Sequence, residues 1–395
     1  MGKFRIPLAR PFIPPKAHQY IHEVLSSGIL TKGHYVKKLE ELVCEYVKAH
    51  HCIAVSSGTT ALEASFSAII ELYGSPDIVI IPDFTFPATL NAVIRSLKGH
   101  KPINLYLVDV RMDTYTIDTT IVERIMTEFN TFAEFVVAIP VHIFGYPAND
   151  IELQHILSKV KRYVIIGDAA GALGAKINGN TVNMYETLTC ISFHPRKIVT
   201  TGEGGMVITN NSEIADFIRG LRDHGRTLKS NGLIFKFPGT NYRLSELQAA
   251  IGVAQMEVID NIIAERRRIA EHYTELIDKY LHNTVIPPVE EHNFYHVYQS
   301  YVVRLPSEID QACVIDVMRN KYSVEIQISS YALSNLPYIK SYKYIHKKLN
   351  GVSHFLERHT VALPIYNGMS LHDVEYVVKA LRETIGVCNI ENRSS

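Results

Sequence analysis

Charge of one sign, long apolar runs and paired cysteines are all scarce in this chain of 395 residues, and each shortage removes a class of function. Forty Lys and Arg residues balance forty Asp and Glu, so no net field draws the protein to nucleic acid or an anionic membrane. The longest basic run, Arg266-Arg267-Arg268, falls in a helix-like stretch and reads as a solvated face. No apolar run approaches the ~20 residues of a membrane helix. The opening Met1-Gly2-Lys3-Phe4-Arg5-Ile6 lacks the apolar core of a leader. The five cysteines (Cys44, Cys52, Cys190, Cys313, Cys388) are scattered and without CxxC spacing. That predicts reduced structural thiols in a cytoplasmic protein, with no disulfide frame and no metal site. Neither a Walker phosphate loop nor GxGxxG is present, which argues against the usual nucleotide folds.

What is present is alternation. Short β-like runs (52–55, 77–82, 104–108, 135–139, 162–168, 188–193, 206–209) are separated by amphipathic helical stretches with short connections. This pattern predicts an α/β domain with a mainly parallel sheet. A polar loop is expected from about 222 to 239, then a long helix over 245–280 with one break. A second, weaker alternation follows, with strands near 300–304 and 360–363 and helices near 311–321 and 371–384. The division predicted is a large α/β domain over 1–255, including an N-terminal arm, and a smaller α+β domain over 256–395.

Three stretches carry chemistry. Ser57-Gly58-Thr59-Thr60 stands between a strand and a helix start, where N–H groups and the helix dipole favour a phosphate; plain N-capping is the alternative. Asp168 ends the most apolar strand, at the edge where α/β sheets place ligands, and could pair a protonated ring nitrogen or serve a turn. Lys197 lies between two β-like runs, before Gly202-Glu203-Gly204-Gly205. A phosphate cradle, an acid for a pyridinium nitrogen and an amine for a Schiff base together match what pyridoxal phosphate needs.

With these residues in place the chain resembles the nucleotide-sugar aminotransferases of the DegT/StrS group, a fold-type-I branch of the pyridoxal-phosphate enzymes. The likeness runs from about Ile6 to Leu381. Its phosphate loop corresponds to Ser56-Ser57-Gly58-Thr59-Thr60-Ala61-Leu62, and its ring-stacking segment to Phe84-Thr85-Phe86-Pro87-Ala88-Thr89. Val141-His142-Ile143-Phe144-Gly145 matches VHxxG, and Gly167-Asp168-Ala169-Ala170-Gly171 the aspartate motif. The lysine motif SFHxxKxxTTGEGG is matched at every fixed position, and Leu363-Pro364-Ile365-Tyr366 is similar to LPLY. The resemblance implies a seven-stranded, mainly parallel sheet and pyridoxal 5′-phosphate as cofactor. Lys197 would be the catalytic residue, with Ser57, Gly58, Thr59, Phe86, Asp168, Ser192 and Asn241 holding the cofactor. Asn241, in Gly239-Thr240-Asn241-Tyr242-Arg243, would reach the phosphate of a neighbouring subunit, making a homodimer with shared sites.

Thr31, His194 and Arg243 are weaker candidates for substrate. Thr31 could equally lie in an interhelical turn, His142 and His194 could be core histidines, and Arg243 could sit in a structural salt bridge. Two places depart from the family pattern: Gly171 stands where many members carry Gln or His, and residues 324–337 lack the usual proline- and histidine-bearing loop. The implied reaction moves an amino group from an amino acid, L-glutamate in the family, to a keto group of a nucleotide-linked deoxysugar by a ping-pong cycle. A cyclitol or other non-nucleotide ketone is the alternative substrate, and a non-catalytic regulatory protein the alternative class. Lys197 argues against the family's dehydratases, which carry histidine there.

Overall fold

The computed structural model describes residues 4–97, 103–129, 133–229, 232–282 and 284–389. Its centre is an eight-stranded sheet. In spatial order the strands are His51–Val55, Gly205–Thr209, Leu188–Ser192, Arg162–Asp168, Phe135–Ala138, Ile78–Pro82, Asn104–Val108 and Ile345–Lys348. Only Gly205–Thr209 runs against its neighbours; every other pairing is parallel. Parallel strands covered on both faces must be apolar on both, and these are. Val79 and Ile81 enter one core with the helix Gly58–Tyr73, while Ile78 and Ile80 enter another with the helix Thr119–Phe129.

The eighth strand exceeds the seven expected. Ile345-His346-Lys347-Lys348 has no apolar run because none of its residues is fully buried at this sheet edge, where Lys347 donates to Ser334 O and Lys348 pairs with Glu128. The polar stretch over 222–239 is likewise not all loop: Arg226–Lys229 and Gly232–Phe235 pair as a hairpin. Glycine, lysine and asparagine around the Leu233-Ile234-Phe235 run hide it from a periodicity reading.

The long helix breaks as expected, into Glu246–Met256 and Ile259–Tyr280. Lys16, Tyr20 and Lys38 converge on Glu257 at the break. Ile259, Ile262 and Ile263 pack with the large sheet, whereas Ile269, Tyr273 and Ile277 enter a separate core. That core is closed by the strands Tyr301–Arg304, Thr360–Leu363 and Gln327–Ile328 and by the helices Gln311–Asn320 and Leu371–Val387. Ile6 of the N-terminal arm joins it. Here the reduced-thiol expectation fails, because Cys313 and Cys388 form a disulfide with Cα atoms 5.7 Å apart. Their separation of 75 residues gives no motif; only the packing of two helices brings them together. Among the described residues Cys44, Cys52 and Cys190 are free thiols, and no helix is long and apolar enough to cross a membrane.

Candidate active site

The carboxyl ends of the central strands supply the site, as open α/β sheets generally do. Asp168 ends its strand buried, with both carboxylate oxygens oriented. Thr89 Oγ1 donates to Oδ2 (2.7 Å) and the Ala170 N–H to Oδ1 (3.2 Å). A carboxylate offers about four acceptor positions, so capacity remains for a ring N–H. Thr89, itself fully buried, was quoted within a motif but given no role by the sequence reading. It lies in the helix Ala88–Ser96, one turn after Phe86, whose carbonyl accepts from the Thr89 N–H (3.3 Å). One turn therefore fixes both the acid's orientation and the aromatic. The Phe86 ring is 64% exposed, with its edge toward Tyr331 (centroids 6.3 Å apart). Tyr331 is brought there by pairing with Thr85, so the stretch 324–337 does reach the mouth of the site.

Ser57 caps the helix Gly58–Tyr73 in a reciprocal box with Thr60. Its hydroxyl accepts from the Thr60 N–H (3.1 Å) and its own N–H donates to Thr60 Oγ1 (2.9 Å). Capping thus accounts for the Ser57 side chain, while the N–H groups of Gly58 and Thr59 stay at the positive end of the dipole. A Cβ on Gly58 would fall 2.6 Å from Ser192 Cβ, so only glycine lets the helix start approach the Ser192 hydroxyl. This is the cradle that a phosphate fits.

Lys197 rides on a turn fastened at both ends. Its N–H donates to His194 O (2.9 Å), and Phe193 O accepts from the Thr201 N–H (2.9 Å). The buried Gln255 takes both backbone groups of Thr200, accepting from its N–H (3.0 Å) and donating to its carbonyl (2.5 Å). Burial pulls the Lys197 amine down to about 8, against the opposing pull of Asp168 and with help from Arg196. The amine donates no hydrogen bond to any described residue. His194 is half-buried, with Nδ1 accepting from the Arg196 N–H (3.3 Å), and burial lowers its pKa.

His142 is a core histidine. Its Nδ1 accepts from the Ala148 N–H (3.0 Å), which leaves the proton on Nε2, facing Glu186 (2.5 Å). Thr189 also donates to Glu186, and Asp150 lies 3.6 Å from the same ring nitrogen. Burial pushes both carboxyls well above their ordinary values, and neither Asp150 oxygen has a hydrogen-bond partner. The ring thus turns a proton toward the acids rather than a lone pair a cation would need.

Thr31, Asn241 and Arg243 gather elsewhere. Thr31 is exposed and bridges Ser245, and Asn241 is exposed and bridges Asp223. Arg243 donates to Asp223 (2.5 Å), which Lys32 and Arg226 also approach. Burial would raise the Asp223 carboxyl, but Lys32 and Arg243 outweigh it and hold it low. The salt-bridge reading of Arg243 is the one seen. No hydrogen bond or ion pair among the described residues links this rim to Asp168 or Lys197.

The model of the DegT/DnrJ/EryC1/StrS aminotransferase family matches residues 12–382. A pleiotropic regulatory protein of Geobacillus stearothermophilus is 36% identical over 295 residues, 74% of this chain and 75% of that protein. A GDP-perosamine synthase of Caulobacter vibrioides is 33% identical over 304 residues, 76% of this chain and 77% of the synthase. The solved structure of Helicobacter pylori PseC, an aminotransferase involved in pseudaminic acid biosynthesis, superposes with a TM-score of 0.87 at 21% identity, covering 97% of this chain and 99% of PseC. The chain belongs to the DegT/DnrJ/EryC1/StrS aminotransferase family, and with it to the pyridoxal-phosphate-dependent sugar aminotransferases.

Proposed function

We propose that the enzyme transfers an amino group from an amino acid, L-glutamate, to the keto group of a nucleotide-linked deoxysugar in a ping-pong cycle. The observation that carries this is the partly buried Lys197 amine on a fastened turn beside Asp168, since a lysine there performs transamination where histidine would serve deoxygenation. The similarity to a GDP-perosamine synthase supports a nucleotide-linked substrate.

Pyridoxal phosphate, when bound, supplies an aldehyde carbon and an electron sink. The N–H groups of Gly58 and Thr59, with the Ser192 hydroxyl, would hold its phosphate, Ser57 would fix the helix start by its cap, and Phe86 would cover its ring. Asp168, oriented by Thr89, would hold a proton on the ring nitrogen. Lys197 would be the amine that holds the cofactor's aldehyde carbon and, when free, the base that carries the proton from the donor's Cα. With its pKa lowered to about 8, roughly a tenth of the amine is neutral at pH 7, far more than an unperturbed lysine would offer. Thr31, Asn241 and Arg243 stand apart from this cluster, which supports a homodimer in which Asn241 reaches the partner's phosphate. A phosphorylated nucleotide sugar does not cross an apolar barrier unaided, which supports a cytoplasmic enzyme.

A panel of keto-sugar nucleotides, cyclitol ketones and free keto sugars added to the pyridoxamine form tests the reading. Loss of its absorbance with a nucleotide-linked ketone is expected. Response to a cyclitol alone would move the assignment to that substrate. Silence with every ketone would favour a regulatory protein, as the name of one relative suggests.

A further inference from the structure

Gly171 leaves a gap beside the site, and a side chain from far along the sequence fills it. A Cβ at position 171 would fall 2.8 Å from Gln299 Oε1 and 3.1 Å from Gln299 Cγ. Gln299 is 8% exposed, and its Nε2 donates to the carbonyl of Arg196 (3.0 Å), the residue before Lys197. Its backbone is held as firmly as its amide. The buried Arg266 donates to Gln299 O (2.7 Å) and Tyr298 O (2.9 Å). The Val297 and Ser300 N–H groups donate to Gly145 O (3.1 Å) and Phe144 O (3.2 Å). On the other side of the turn, the Gln327 side-chain oxygen accepts from the Arg196 guanidinium (2.5 and 2.7 Å).

We infer that Gln299 is a positioning residue for Lys197, occupying from the segment 296–300 the space that a side chain at 171 would take and fixing the lysine turn through the Arg196 carbonyl. The chemistry favours this over simple packing. The Arg196 carbonyl needs a donor, and an amide supplies one without bringing a charge beside the Lys197 amine. Gly171 and Gln299 then form one unit: the first must lack a side chain because the second is there.

The inference rests on Lys197 being the cofactor-linked lysine, so Lys197→Ala is run in parallel. If its holoenzyme keeps borohydride-sensitive absorbance in the ~400–430 nm region, the lysine assignment has failed independently of Gln299. Given that the band is lost, Gln299→Met retains the side-chain volume but cannot donate. It should lower kcat on the order of tenfold with KM for the amino donor within about twofold, and shift the pH titration of the long-wavelength band, at an unchanged melting temperature. Wild-type kcat and wild-type titration in folded Gln299→Met would reduce the residue to a filler and overturn the inference. The second arm asks whether the two positions share one space. Gln299→Gly should lose activity at least as severely, and adding Gly171→Gln to it should recover half or more of the loss. No recovery in a folded double variant would overturn the shared-space claim.

Discussion

The turn around Lys197 and the rim around Asp223 are both polar and irregular, yet they are built in opposite ways. In the turn, backbone groups are fixed by buried partners: Gln255 on Thr200, Gln299 on Arg196, and Phe193 on Thr201. On the rim, partly exposed cations gather on one carboxylate, and Asn241 and Thr31 point outward with no partner of their own in the turn. Hydrogen bonds made out of water are costly to lose, whereas the rim's three cations remain 24–43% exposed around their buried carboxylate and keep part of their hydration. The difference separates a turn that one chain fastens by itself from a rim whose proposed partner is a second subunit.

Removing the turn's centre should have the largest effect. Lys197→Ala should lose more than about a thousandfold in activity along with the borohydride-sensitive band; transamination at the wild-type rate would remove the turn from the mechanism. The rim is tested by mixing inactive Lys197→Ala and Asn241→Ala chains. Random pairing leaves half the dimers mixed, each with one intact site if sites are shared, so about a quarter of wild-type activity should return. No return would confine Asn241 to its own subunit.

Stability separates the regions next. The Lys197 amine falls from 10.5 to about 8 on folding. Between those values the unfolded chain holds a proton that the folded chain lacks, so stability rises with pH across the window. Below it the folded protein carries a buried charge. Cofactor-free Lys197→Met should therefore be more stable than wild type by roughly 3 kcal/mol at pH 7, with the advantage fading toward pH 10.5, as followed by urea unfolding. An advantage independent of pH would assign it to packing. The smallest effect expected is for Thr89→Val, which removes one donor from Asp168 and keeps the shape. Activity should fall about tenfold, with a shift in the cofactor's absorbance titration. Unchanged spectra would mean that Ala170 alone orients the acid.

Much of this was legible along the chain. Buried parallel strands must be apolar throughout, so each central strand shows as a Val- and Ile-rich run, and Asp168 stands out because it ends one. Gly58 was readable because close backbone approach admits only glycine, and Lys197 because it stands between two β-like runs beside a glycine-rich turn. Thr89 was half legible: it lies in the aromatic motif, but nothing local aims its hydroxyl at a carboxylate 79 residues away. Gln299 gave no signal, since its partner is 103 residues distant and an isolated glutamine has no pattern. The edge strand at 345–348 and the Cys313–Cys388 bond failed for the same reason, each depending on a neighbour supplied by another part of the chain.

By itself, then, the sequence determined the alternation of elements and singled out Gly58, Asp168 and Lys197 as the candidates for the site, because periodicity and the chemistry of single residues are local properties. Tertiary structure alone decided that Thr89 aims the acid, that Gln299 fills the place Gly171 leaves, and that the predicted site residues divide between a buried turn and an exposed rim. Those depend on which surfaces meet when distant segments pack, and burial and hydrogen bonding act between neighbours in space, whatever their separation along the chain.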